Sequence, residues 1–357
     1  MKRARAIRSA LKIAACVLVV GLLYLVFRRI GFHNILDAMR RVRWRTIGVV
    51  SGLYLAVFVL WSFRWQQLMP SGRRKSALAL FPIMMAGIFG NVVTPGARVG
   101  GEPLRAYYMG KAFGGEKSAY FGTVLADKFA YGAVFFGFVV ASVGFVLFNV
   151  PLPLASKIFL GGVVGLMLAA VLSGFLLREQ IGARSGLLGR LLPGVYEFPL
   201  LKFLRRRFPT YQHFEDYIID KLDNMWSPIQ RAAGRPGVIA RVFTIGAASW
   251  LIMCLAHHVL FRALGADVGF LRVLVIVTIS TFFGDVSVSP GGAGFMEAAM
   301  LALCAAFGVG AETAAAVTLI SRGIFYAFGL GLGGLCLAGL SVVYGREGNA
   351  EEPPSPS

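Results

Sequence analysis

Acidic residues are scarce in this chain, and charge of either sign is thin. Only 15% of its 357 residues are charged, against about 25% in an ordinary soluble domain, which leaves no room for a large soluble domain. The four cysteines, Cys16, Cys254, Cys304 and Cys336, all sit inside apolar stretches without metal-type spacing. A disulfide framework and a zinc site are both unsupported, and the thiols read as core filler. Among only four histidines, His257 and His258 fall in an apolar run with no carboxylate nearby in sequence, a pattern of packing rather than metal binding. There is no Walker loop, dinucleotide fingerprint, nucleophile elbow or zinc-protease helix motif. The familiar soluble chemistries have no foothold, and neither a cofactor nor a metal is expected.

What the chain has instead is apolar length. Hydrophobic residues make up 57%, and a spanning helix needs roughly 20 of them in succession. The reading is an all-α polytopic membrane protein with seven or eight spanning helices plus broken or re-entrant ones. Candidate spans cover residues 11–27, 46–63, 76–94, 118–150, 156–177, 238–263 and 270–288. A last region, 293–344, is too long for one crossing and is interrupted at 307–312 and again by Arg322. The excess of 36 Lys and Arg over 17 Asp and Glu lies mainly between these runs. Anionic lipid headgroups, not nucleic acid, are the partner this implies. Lys2, Arg3, Arg5 and Arg8 precede the first run as in a secretory signal, but Arg28 and Arg29 close it where a cleavage site would stand. A retained first span with a cytoplasmic N-terminus follows.

The division expected is a first membrane half, 1–177, containing a motif at 91–111. A basic cytoplasmic loop with amphipathic helices follows at 178–237, holding ten Lys and Arg against six Asp and Glu. The second membrane half is 238–345 with a motif at 284–297, and 346–357 is a disordered tail. Trp44, Arg64 and Trp65 suit interfacial anchors.

Two interruptions of the apolar pattern resemble each other. Thr94-Pro95-Gly96 leads to Gly100, Gly101 and Glu102, while Ser289-Pro290-Gly291-Gly292 leads to Gly294 and Glu297. Each glutamate stands seven residues after its proline. With one single-residue gap, Phe113-Gly114 aligns with Phe307-Gly308 and Asp127-Lys128 with Ser321-Arg322. Proline and glycine release backbone groups that hydrocarbon cannot satisfy, so such breaks belong in the protein interior or along an aqueous cavity. Paired breaks in two halves of a chain point to a midplane site, with half-helix N-termini turned towards an anion. An odd number of crossings between them would make the two repeats inverted.

Charge at membrane depth marks the candidate binding residues. A central charge costs about 2.5 to 3.5 kcal/mol on insertion scales, yet Asn91 to Lys111 holds Arg98, Glu102, Arg105 and Lys111. On a helix, Glu102 shares a face with Arg98 and Arg105. The group is either a neutralised structural cluster or an arginine pair held open for a phosphate by one carboxylate, the planar fork suiting a bidentate grip. Asp127 and Lys128 read as a structural pair or a proton relay. Glu297 has Arg322 as its nearest candidate partner; alone, it would be protonated or titrate in an ion-coupled cycle.

The Pro-Gly-x-Arg-x-Gly-Gly-Glu-x-x-Arg run from Pro95 to Arg105 and the Pro-Gly-Gly-x-Gly-x-x-Glu run from Pro290 to Glu297 resemble the lysylphosphatidylglycerol synthase transmembrane-region family, also called flippase-like. The resemblance covers roughly residues 8–344. It implies a polytopic inner-membrane protein that moves a lipid between leaflets. In bifunctional relatives a cytoplasmic aminoacyl-transferase domain follows, and the sequence in hand stops before one, so lysyl transfer is not expected. The resemblance leaves the cargo open among anionic phospholipid, hopanoid and polyprenyl-linked lipids.

Flipping of an anionic lipid headgroup through an arginine-lined cavity is therefore the expected function, with a homo-oligomer or a lipid-synthesis enzyme as possible protein partners. The rival readings are a membrane-embedded transferase or phosphatase, with Glu102, Asp127 or Glu297 as acid or base, and a non-transporting subunit of such a complex.

Overall fold

The computed structural model describes residues 39–69, 75–94, 100–150, 153–176, 210–287 and 294–345, together with Asp37 and Pro193. The expected span 11–27, the break residues Pro95, Gly96, Pro290, Gly291 and Gly292, the candidate ligand Arg98, most of loop 178–237 and the tail from 346 lie outside these residues.

Among the described residues the secondary structure is helical, with no strand. Helix α1 spans Trp44–Gln67, α2 Ala77–Val93, α3 Gly101–Phe113, α4 Lys117–Asn149 and α5 Leu154–Leu176. Then come α6 Tyr211–Ala233, α7 Pro236–Ala263, α8 Phe270–Val286, α9 Phe295–Ala306 and α10 Ala311–Tyr326. A π-helical turn, Ala327–Leu332, joins α10 to α11, Gly333–Gly345. Helices α1, α4, α7 and the continuous run Ala311–Tyr344 are long and apolar enough to cross a membrane. This is a multi-pass membrane protein.

Helices α2 and α8 have 17 residues each, about 25 Å at 1.5 Å per residue, short of a hydrocarbon core of about 30 Å. Each folds back on the short helix after its break. Gly87 and Gly90 of α2 meet Arg105 and Gly101 of α3, an antiparallel pairing. On the other side α8 packs on α9, and the Ser280 hydroxyl reaches Met300 Sδ at 3.8 Å. Both motifs are helical hairpins.

The first hairpin closes because its contact residues lack side chains. A Cβ on Gly101 would lie 2.0 Å from the carbonyl oxygen of Gly87. In lipid, close approach of small residues supplies the packing and interhelical bonds that a hydrophobic driving force supplies in water. Asn91 adds one such bond, its Oδ1 accepting the Gly101 N–H at 2.7 Å and thereby satisfying a donor at the start of α3.

The element order recurs. Long α1 (24 residues), α2, α3 (13 residues) and long α4 (33 residues) are matched by α7 (28 residues), α8, α9 (12 residues) and the run through α10 and α11. Packing recurs too: α1 lies along α7, α2 packs on α11, and α8 packs on α4. Arg322 does not interrupt the final run as its charge suggests; α10 continues through it, and the irregularity is the π turn one helical turn later. Amphipathic α6, expected within the loop, packs against the first turns of α4, where Gly122 admits the Met225 carbonyl.

Candidate functional site: a cavity between two hairpins

A cavity of about 350 Å³ lies between the two hairpins. Asn91 and Val92, in the last turn of α2, line it from the first; Thr281 of α8 and Met296 of α9 line it from the second. The long helices supply aromatic walls: Tyr54 and Trp61 from α1, Tyr131 from α4, Trp250 from α7, and Phe325 and Tyr326 from α10. Its volume is at the small end of ordinary ligand pockets. Several polar groups on the walls are bonded to neighbouring groups. His257 contacts the Met253 carbonyl at 2.9 Å, and Trp250 Nε1 donates to Thr278 Oγ1 behind the wall at 3.1 Å. Among the described residues the charged side chain on the lining is Arg322.

Arg322 is held by the second motif. Its guanidinium bonds to Glu297 Oε1 and stands 5.7 Å from the Tyr326 ring centroid. The other oxygen of Glu297 accepts the Gly294 N–H at 2.7 Å, closing the N-terminus of α9. Gly294 takes φ +89° there, a conformation side-chain-bearing residues rarely adopt. Thus Glu297 is not a lone carboxylate. It is the hinge-pin of its hairpin and the counter-ion of the cavity's arginine, the nearest candidate partner downstream in the sequence.

The first motif is arranged differently from expectation. Glu102 and Arg105 share a helix face, but Glu102 Oε1 accepts from Lys128 Nζ at 2.9 Å, while Arg105 Nη2 turns to Asp127 Oδ2 at 3.1 Å. Asp127 also takes Arg64 Nε on Oδ1 at 2.7 Å. Asp127 and Lys128 therefore pair across to α1 and α3, not with each other. Arg105 lies 4.0 Å over the Trp65 ring, whose Nε1 donates to Thr123 Oγ1 at 3.1 Å. These residues knit α1, α3 and α4 together beside the cavity; none of Arg64, Glu102, Arg105, Asp127 or Lys128 is on its lining.

Arg64 and Trp65 correct the sequence reading. Expected at the interface, they are 4% and 0% exposed, while Trp44 at the start of the same helix is 88% exposed. A carboxylate at Asp127 inside an apolar run demands cations, but nothing along the chain singles out Arg64 among the bases that adjoin the spans. Of the other candidates, Gly100 and Gly101 are close-packing positions that start α3. Cys254 and Cys304 are buried free thiols, and Cys336 is half-buried and free. Among the described residues no cluster of three His, Cys, Asp or Glu side chains has metal-binding geometry.

The two motif glutamates nevertheless keep equivalent partners. Glu102 bonds Lys128 across 26 residues and Glu297 bonds Arg322 across 25, matching the single-residue offset in the aligned motifs. Each pair ties the outgoing arm of a hairpin to the long helix that follows it.

The chain is similar to known membrane proteins. Residues 12–333 match the family model described as the lysylphosphatidylglycerol synthase TM region. The chain is 25% identical over 315 residues to a UPF0104 membrane protein of Methanothermobacter thermautotrophicus, covering 86% of this chain and 90% of that protein. It is 28% identical over 319 residues to one of Pyrococcus horikoshii, with 85% and 90% covered. A third, from Methanocaldococcus jannaschii, is 23% identical over 318 residues, with 87% and 89% covered.

Proposed function

The chain belongs to the lysylphosphatidylglycerol synthase transmembrane-region family, and from that premise we propose that it carries the anionic headgroup of a membrane lipid between leaflets through the cavity between its hairpins. The observation that carries this reading is Arg322 on the wall of a cavity bounded by both hairpins. A guanidinium seated against one carboxylate attracts an anion without holding it too tightly. Passage requires that balance, since a site must release what it admits.

Topology supports the reading. The 33-residue α4, 23-residue α5 and 28-residue α7 lie between the hairpins. Counting each as one crossing, with α6 along the membrane surface, gives three among the described residues, an odd number, which would bring the hairpins in from opposite faces as inverted repeats. Each leaflet then has a hairpin leading to the same midplane cavity. The membrane proposed is the inner membrane, with the N-terminus and the 178–237 loop in the cytoplasm, where its excess of basic residues is favoured.

The test is leaflet exchange of tail-labelled phosphatidylglycerol in phosphatidylcholine vesicles containing the purified protein, read by dithionite bleaching of the outer leaflet. Arg322→Gln with Glu297→Gln removes the cation without stranding a buried carboxylate. One charge-assisted interaction is worth about 1.5–3 kcal/mol, so exchange should fall about tenfold or more with unchanged reconstitution. Exchange at the parent rate by the double variant overturns the assignment. Chemical conversion of the lipid in detergent would instead favour a transferase or phosphatase.

A further inference from the structure

We propose a second phosphate-binding position on the path, formed by Arg64 and Arg105 behind Tyr131 and occupied in this conformation by the Asp127 carboxylate. The inference rests on the translocation reading and extends it from one site to two. Two guanidiniums converge on one carboxylate, with Arg64 Nε on one oxygen and Arg105 Nη2 on the other. A phosphodiester presents its two free oxygens in a similar way, and arginine is the side chain suited to gripping them.

Arg64 and Arg105 share the one carboxylate of Asp127, while Lys128 bonds Glu102 Oε1 and Glu102 Oε2 is buried without a donor. Arg64 Nη1 and Arg105 Nε are buried donors without an acceptor, although Arg64 and Arg105 are only 4% and 9% exposed. Buried polar groups are almost always hydrogen-bonded, and exceptions call for a reason. A tetrahedral anion offers acceptors in directions that a planar carboxylate does not cover.

The cavity and the cluster share a wall. Tyr131 lines the cavity on one side and has Arg64 Cζ 5.1 Å from its ring centroid. Trp61, which packs edge-on against Tyr131 at 6.2 Å, also lines the cavity and carries a buried indole N–H without an acceptor. A headgroup leaving Arg322 therefore has an aromatic partition to pass and two guanidiniums beyond it. Arg105 belongs to the outgoing arm of the first hairpin, so movement of that arm would separate Arg105 from Asp127 and free the position.

Asp127→Asn tests this, because it removes the resident charge while keeping its shape. Protein purified from phosphatidylcholine micelles doped with phosphatidylglycerol is scored for retained phosphatidylglycerol by native mass spectrometry. Retention should rise about tenfold, the size of one charge-assisted bond, and adding Arg64→Gln should cancel the gain. Asp127→Ser, which removes the carboxylate with a smaller side chain, should raise retention as well and serves if Asp127→Asn fails to fold. If whichever of the two variants folds retains no more than the parent, the second position does not exist. Thermal protection of Asp127→Asn by inorganic phosphate but not by phosphatidylglycerol overturns the lipid assignment. Loss of parent leaflet exchange would sink the translocation reading alone, since retention by the Asp127→Asn protein is scored independently of transport.

Discussion

Substitution of Gly101 by alanine puts the hairpin architecture at risk through a single methyl group. The added Cβ would stand 2.0 Å from the Gly87 carbonyl oxygen, 2.8 Å from its carbon and 2.9 Å from Asn91 Cγ. Two of these three atoms are backbone, so no rotamer change relieves the contact; α2 and α3 must part by more than 1 Å for ordinary van der Waals spacing of about 3.5 Å. Overpacking of this kind costs about 1–3 kcal/mol and occasionally more. Displacement also stretches the 2.7 Å bond from the Gly101 N–H to Asn91, whose loss adds about 1 kcal/mol. The total, about 2–4 kcal/mol, should lower the melting temperature in detergent by about 5 °C or more. Gly48→Ala in α1 is the control, because a Cβ there meets nothing within 4 Å and helix propensity alone favours it by about 1 kcal/mol. If Gly101→Ala melts with the parent, the two arms are not in contact.

Trp65→Phe keeps a ring beneath Arg105 but removes the indole N–H that bonds Thr123, so stability should fall by about 1–2 kcal/mol; a guanidinium titration curve unchanged in midpoint would refute that. Gly122→Leu drives a side chain into the Met225 carbonyl, 2.2 Å from the Cβ position, and should detach α6 from α4. A cysteine introduced at Met225 would then label faster with a water-soluble maleimide, while equal labelling in both proteins would count against the packing. Glu297→Ala strands Arg322, and losing one member of a buried pair costs about 3–5 kcal/mol. Adding Arg322→Met should restore part of that loss in a thermal melt, and no restoration would mean the pair is not coupled.

How much of this was legible in sequence depended on what signal each feature leaves. The spans at 46–63, 118–150 and 238–263 are long apolar runs, and α1, α4 and α7 cover them. The pairing of Glu297 with Arg322 was legible because Arg322 is the first base downstream of that carboxylate. Arg64 and Trp65 were not. They stand at the end of an apolar run, where interface and interior differ only by what packs against them, and their partners Asp127 and Thr123 are 63 and 58 residues away. The π turn at Ala327–Leu332 left no mark either, since a glycine-rich apolar stretch reads as helix whatever its hydrogen-bond period. Shared helix face predicted that Glu102 would serve Arg105. Competition from better-placed partners on α4 decided otherwise, a tertiary effect that spacing along one helix does not contain.

The two motifs share a frame but not a chemistry, and the difference bears on which half meets a ligand. Glu102 and Glu297 hold equivalent stations, each tying an outgoing arm to the next long helix. Lys128 carries a compact, strongly hydrated charge on a side chain that is 46% exposed, whereas the Arg322 side chain is 12% exposed and lines the cavity. A planar fork retains donor directions after one carboxylate is satisfied; an ammonium is a point charge with no such geometry. The repeat position that faces the cavity thus carries the side chain better suited to phosphate. Its counterpart lies beside the Arg64, Asp127 and Arg105 cluster, which has guanidiniums of its own. Exchanging the two bases, Lys128→Arg with Arg322→Lys, preserves total charge and both ion pairs. If the forked geometry at the cavity matters, the exchange should slow phosphatidylglycerol movement while leaving the melting temperature near that of the parent; equal transport would mean that charge alone is recognised.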